Sequence, residues 1–242
     1  MNTKVSEFIK FFNQLENEMG ILTDTKYERD TFNRTTFLKK LQVLRTEEPK
    51  YEHFRSDLEE LSELRNVLVY EYKHEADLAV PSDWAINRLK EILNKLKNPQ
   101  TAYSIASKPV DMCKLDYNLG EVIAKMSEKN FTHVPVVDKD DKFAGVISES
   151  VIVSWTADFL KGDKKNLSDT KVSDIIALIK EPINNYWIFI AMNTDGFKIL
   201  SLFQEYLENN KRLGAIFVTK TGNSTEKIMG IVTAWDLGRI QK

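Results

Sequence analysis

One cysteine, three histidines, nine glycines and six prolines are spread over 242 residues, and each scarcity closes a route to function. Cys113 has no partner within the chain, so no internal disulfide framework exists, and it reads as a small apolar strand residue. His53, His74 and His133 are scattered without ligand spacing, which leaves no zinc site. Neither sign of charge dominates. With 34 Lys+Arg against 36 Asp+Glu and a net charge of -2, no broad basic field draws the chain to nucleic acid or anionic lipid. No stretch approaches the roughly 18 uninterrupted apolar residues of a membrane span, and the N-terminus lacks a basic segment followed by an apolar run. These absences predict a cytoplasmic globular protein with no metal, no membrane partner and no nucleic-acid partner.

What is present suffices for two domains, since 42% of residues are apolar and 10% aromatic. Up to about residue 98 the apolar positions recur at helical spacing: Phe8, Phe12, Leu15 and Met19, then Phe37, Leu41 and Leu44, then Leu58, Leu61, Leu64 and Leu68, then Ile86, Leu89, Leu93 and Leu96. The spacing predicts four helices in a small bundle, with breaks at Pro49 and Pro81, a Ser82 cap and a stop at Asn98-Pro99. Beyond Pro99 short β-branched runs alternate with helices. A helix face of Leu119, Val122, Ile123 and Met126 precedes strands at 134–137 and 143–147. The same order returns with Ile199, Leu202, Phe203 and Tyr206, then strands at 215–218 and 228–232. Gly145 and Gly230 are separated by the same interval as Ser148 and Thr233, which predicts an internal repeat.

The two repeats close with Gly145-Val146-Ile147-Ser148 and Gly230-Ile231-Val232-Thr233-Ala234-Trp235-Asp236. With Leu119-Gly120-Glu121-Val122 and Phe131-Thr132-His133-Val134-Pro135-Val136-Val137-Asp138, they resemble a pair of cystathionine-β-synthase-type (CBS) domains. The resemblance covers roughly three fifths of the chain. It implies an α/β (α+β) tandem CBS pair, with CBS domain 1 over 99–165 and CBS domain 2 over 166–242, preceded by an all-α helical bundle domain over 1–98. It further implies a homodimeric disc whose clefts bind a regulatory adenine nucleotide or adenosyl ligand, such as AMP, ADP, ATP or a cyclic dinucleotide, without any cofactor.

The chemistry of the closing signature supports a ligand reading. A carboxylate accepts two hydrogen bonds from a vicinal diol, so Asp236 suits a ribose, while Thr233, following Val232 at the strand end, suits a phosphate oxygen near a helix N-terminus. Thr233 capping a helix with Asp236 in its first turn is the alternative. By resemblance the base lies against the linker, including Lys108 and Asp111, and against Phe131 and Thr132, with Phe131 over the base face. In the first repeat Val151 stands at the acid position beside Ser148, so that second cleft is degenerate: a ribose there lacks its diol partner, and an aspartate at 151 is expected to restore one. Arg212 is available there for phosphate, or simply sits on a solvated helix end.

Within the bundle, Arg65-Asn66-Val67-Leu68-Val69-Tyr70-Glu71-Tyr72 resembles the Arg-x4-His-x-Tyr element of HEPN (higher eukaryotes and prokaryotes nucleotide-binding) domains. Arg65 and Tyr72 match, and Tyr70 replaces the histidine. A phenol with a reference pKa near 10 is a poor general base at neutral pH, so no catalysis is expected and Arg65, Asn66 and Tyr70 fit structural contacts or an interface. The sequence thus points to a regulatory sensor, against the alternatives of a nucleotide-gated ribonuclease using Arg65 with His74 or Tyr70, and of a ligand-free scaffolding module.

Overall fold

The computed structural model describes residues 3–24, 36–71, 79–162, 169–180 and 186–240. The chain divides into two compact units, Met1–Pro99 and Gln100–Lys242.

The first unit is helical. Its described helices are α1 (Thr3–Asp24), α2 (Phe37–Glu47), α3 (Pro49–His53), α4 (Arg55–Glu71) and α5 (Asp83–Lys97). The four expected helices are present, and Pro49, seen in the sequence only as a break, also opens the short α3. Proline suits a first helical turn because its missing N–H has no partner there anyway. Phe8, Phe12, Leu15 and Met19 on α1 and Leu89 and Ile92 on α5 are fully buried, as an apolar stripe requires. The Ser82 hydroxyl caps α5 by accepting from the Ala85 N–H at 3.2 Å. Arg88 binds Asp57 through two parallel bonds of 2.9 and 2.8 Å, which fixes α5 against α4.

The second unit holds two three-stranded sheets of the same topology. After a short α6 (Ala102–Ile105), the first repeat runs β1 (Cys113–Lys114), α7 (Leu119–Lys129), β2 (His133–Val137), β3 (Phe143–Ser148) and α8 (Glu149–Leu160). A 3-10 turn at Val172–Ile175 and α9 (Ile176–Ile179) lead to the second, which runs β4 (Tyr186–Ala191), α10 (Gly196–Glu208), β5 (Leu213–Thr219), β6 (Gly230–Val232) and a 3-10 helix at Ala234–Arg239. In each repeat the first strand pairs parallel with the second, and the second antiparallel with the third. Cys113 is buried in β1, where desolvation pushes its thiol up to about 12, as befits a packing residue.

Each repeat borrows the segment that precedes the other. Ala102, Ile105 and Ala106 pack with Ile199, Leu213, Ile216 and Val232 of the second repeat. Val172, Ile175 and Ile179 pack with Leu119, Val136 and Ile147 of the first. A third cluster joins the two sheets through Val146, Ala215, Phe217 and Ile228, with the Phe143 ring 4.9 Å from both Trp187 and Phe189.

Gly145 marks where β3 meets α9. It adopts φ +155°, and a Cβ there would lie 2.4 Å from the backbone oxygen of Ile179. Gly145→Ala is therefore expected to lower unfolding free energy by about 3 kcal/mol in chemical denaturation, because a carbonyl cannot rotate aside as a side chain does. A loss below about 1 kcal/mol would mean that α9 shifts freely.

Two boundaries differ from the sequence expectation. β6 begins at Gly230 rather than Ile228, which instead packs in the joining cluster. The closing helix is a six-residue 3-10 turn rather than an α-helix. Gly238 near its end disfavours extension, at about 1 kcal/mol relative to alanine.

Candidate functional site

A cleft of about 800 Å³ opens between the linker after α6, the α7–β2 turn and the end of the second repeat. Three local features build its walls. Ser107 pairs with β6, its N–H donating to the Ile231 oxygen at 2.9 Å and its own oxygen accepting from the Ile231 N–H at 3.2 Å, which lays the linker along that strand. α7 ends on Asn130 in the left-handed conformation, φ 53°, and the Phe131 N–H then returns to the Met126 oxygen at 2.9 Å, turning Phe131 and Thr132 into the cleft. The 3-10 helix carries Asp236, only 5% exposed, and Arg239 to the same wall.

The Asp236 carboxylate has four hydrogen-bonding partners. Its Oδ1 accepts from the Ser107 hydroxyl at 2.8 Å and lies 3.0 Å from Arg239 Nη1. Its Oδ2 accepts from the Thr233 N–H at 2.8 Å and hydroxyl at 3.0 Å. The buried charge is thereby satisfied, which is what permits its burial. The capping alternative and the ligand alternative are thus not exclusive, since Asp236 ties the turn together and also lines the cleft.

The expected site residues are placed unevenly. Thr233, Asp236, Phe131, Thr132 and Asp111 all line the cleft. Asp111 is held by Lys125 and Lys129, whose ammonium groups keep its carboxyl below the ordinary range. Val232 is instead fully buried in the second-repeat core, because alternate strand residues face opposite sides. Lys108 turns to Tyr103, its Nζ lying 3.6 Å from the ring centroid and donating to the Tyr103 carbonyl. The helix terminus expected to hold phosphate is the six-residue 3-10 turn, and the Thr233 N–H ahead of it is already donated to Asp236.

At the first-repeat counterpart, the Ser148 hydroxyl accepts from the Val151 N–H at 3.3 Å and so caps α8. Val151 is 3% exposed and belongs to the first-repeat core. Arg212 is exposed just before β5, its carbonyl accepting from the Tyr186 N–H at 2.7 Å. In the bundle, Arg65 Nη1 lies 3.4 Å from Asn66 Oδ1, its guanidinium 6.0 Å from the Phe12 ring, and its buried Nε has no hydrogen-bond partner among the described residues. The side chain of Tyr70, together with Tyr72 and His74, lies outside the described residues.

Sequence reasoning did not find Arg239, Trp235 or Glu149 on the cleft wall. Arg239 follows Asp236 by three residues, one turn of a 3-10 helix, and that spacing was the available signal. Trp235 is 86% exposed beside the cleft, where an indole in water offers apolar surface to a ligand.

Residues 102–158 match the family model for the CBS domain, so the first repeat is a CBS domain. With the second repeat of identical strand order, the chain joins an N-terminal helical region to a tandem CBS α+β fold. Similar solved structures include the CBS domain pair of protein MJ0100 in complex with 5′-methylthioadenosine and S-adenosyl-L-methionine, at 20% identity over 58% of this chain and 94% of that one, TM-score 0.41. A putative acetoin utilization protein (AcuB) from Vibrio cholerae is 13% identical over 58% of this chain and 89% of that one, TM-score 0.44. CBSX2 in complex with AMP is 18% identical over 55% and 88%, TM-score 0.40. No curated protein matches the chain. No helix among the described residues is long and apolar enough to cross a membrane.

Proposed function

We propose that the cleft binds an adenine nucleotide or related adenosyl ligand, with Asp236 receiving the ribose 2′ and 3′ hydroxyls and Phe131 covering one face of the base. The observation that carries this is a buried, fully hydrogen-bonded carboxylate on the wall of an otherwise roomy cleft. At about 800 Å³ the space is within the roughly 300–1,000 Å³ typical of small-molecule pockets. A diol presents the same two donors that the Ser107 hydroxyl and Thr233 hydroxyl present now, so ligand binding exchanges one set of hydrogen bonds for another. Binding without a covalent step is proposed, with the pair acting as a homodimer and occupancy passed to the HEPN-like bundle of residues 1–98. A ligand does this only as far as it prefers one arrangement of the domains over another.

The test is thermal denaturation of the purified chain with adenosine, AMP, ATP, S-adenosylmethionine, a cyclic dinucleotide and guanosine compounds. Stabilisation by adenosyl compounds is expected, about 2.7 kcal/mol at a hundredfold excess over Kd. No shift with any adenosyl compound would end this reading.

A further inference from the structure

The geometry points to Arg239 as the residue that selects a ligand bearing an anionic group beside its ribose, a nucleoside monophosphate rather than a nucleoside. This rests on the adenosyl reading of the cleft. One nitrogen anchors the side chain: Nη1 donates to the Ile105 carbonyl at 3.1 Å and the Ser107 hydroxyl at 3.1 Å, and pairs with Asp236 Oδ1 at 3.0 Å. Nε and Nη2 hold no hydrogen bond among the described residues, and the side chain is 56% exposed and lines the cleft. A guanidinium fixed at one corner with its remaining donors unengaged is a preorganised fork for a phosphate, which accepts two parallel N–H bonds.

The other charges of the wall leave this role to Arg239. Lys129, the second cation lining the cleft, is committed to Asp111 at 3.0 Å. Glu149 also lines the cleft and makes no ion pair among the described residues. Asp111 is matched by Lys125 and Lys129 and Asp236 by Arg239, so Arg239 is the cation of the wall with donors left for one phosphate, and further phosphates find no second such partner. Arg239 also touches the oxygen proposed to hold the diol, and in an adenosine monophosphate the 5′ phosphate is one sugar ring away from that diol. The freely rotating Ser107 hydroxyl is the partner that gives way to the sugar, while Arg239, held by the Ile105 carbonyl, stays in place.

Calorimetry with adenosine, AMP and ATP on the wild type and on Arg239→Ala, Arg239→Gln and Arg239→Lys tests the assignment. The wild type is expected to bind AMP about tenfold tighter than adenosine, the worth of a charge-assisted pair, and to bind ATP no tighter than AMP. Raised salt should shrink the AMP preference and leave adenosine affinity unchanged. Arg239→Ala and Arg239→Gln should bring AMP and adenosine to equal affinity, the glutamine keeping hydrogen bonds to the linker should the alanine variant fold poorly, and Arg239→Lys should keep part of the preference. Equal affinities in the wild type, or a parallel loss for both ligands in Arg239→Gln, would overturn the role of Arg239 and leave the cleft standing. A wild type that binds none of the three would overturn the adenosyl reading itself and Arg239 with it.

Discussion

Asp236→Ala is expected to weaken AMP binding by about ten- to hundredfold in calorimetry, the loss of charge-assisted hydrogen bonds to a diol. The same change removes an acceptor shared by the Ser107 hydroxyl, the Thr233 N–H and hydroxyl, and Arg239. The alanine variant should therefore also lose about 2 kcal/mol of stability, since buried donors are left without a partner. Asp236→Asn separates the two effects. It keeps a side-chain oxygen of the same shape for the turn, and gives up the charge that makes a diol a good partner. A folded Asp236→Asn or Asp236→Ala protein with wild-type AMP affinity would remove this carboxylate from the site and the sugar with it.

Much of this arrangement was legible in the residues, and where legibility stopped has a physical reason. The duplicated closing signatures gave the repeat, because a glycine, two apolar residues and a hydroxyl recur at one interval and the third strands β3 and β6 follow it. The opening strand β4 was missed. Tyr186–Ala191 pairs parallel with β5, and a parallel strand packed on both faces shows no alternation of polar and apolar residues. β1 is only two residues long, too short for a pattern, and shows in the sequence only through Cys113 as a strand residue. The exchange of flanking segments between repeats left no mark in the residues themselves, since nothing in Ala102–Ile105 announces a partner so far along the chain. That exchange brings Ser107 to Asp236. Phe131, Thr132 and Lys108 were placed at the base by the CBS resemblance alone; the first two line the cleft, whereas Lys108 turns to the Tyr103 ring five residues earlier.

Val151→Asp carries the sharpest reversal. The sequence alone predicts that an acid at this position restores a diol partner beside Ser148, in the image of Thr233 and Asp236. The structure changes the expected result to a loss of about 4 kcal/mol, because an unpaired charge would be placed among Val136, Ile147, Val172 and Ile175. Asp236 is tolerated at 5% exposure through a hydroxyl from the linker, a guanidinium one turn on and the Thr233 donors. Position 151 is 3% exposed, its cap Ser148 already accepts from the Val151 N–H, and the residue matching Arg239 is Ser154, which carries no charge. An aspartate there has its carboxyl raised above the unfolded value by desolvation. Its penalty is then full at high pH, where the folded protein must either bury the charge or hold the proton, and fades as pH falls below the unfolded carboxyl's range of roughly 4. Urea denaturation should show Val151→Asp far below the wild type at pH 8, with the gap narrowed but not closed near pH 4, where a neutral carboxyl in the core still lacks a partner. A variant as stable as the wild type at pH 8, and binding a second equivalent of nucleotide, would show that this part of the core opens into a working cleft.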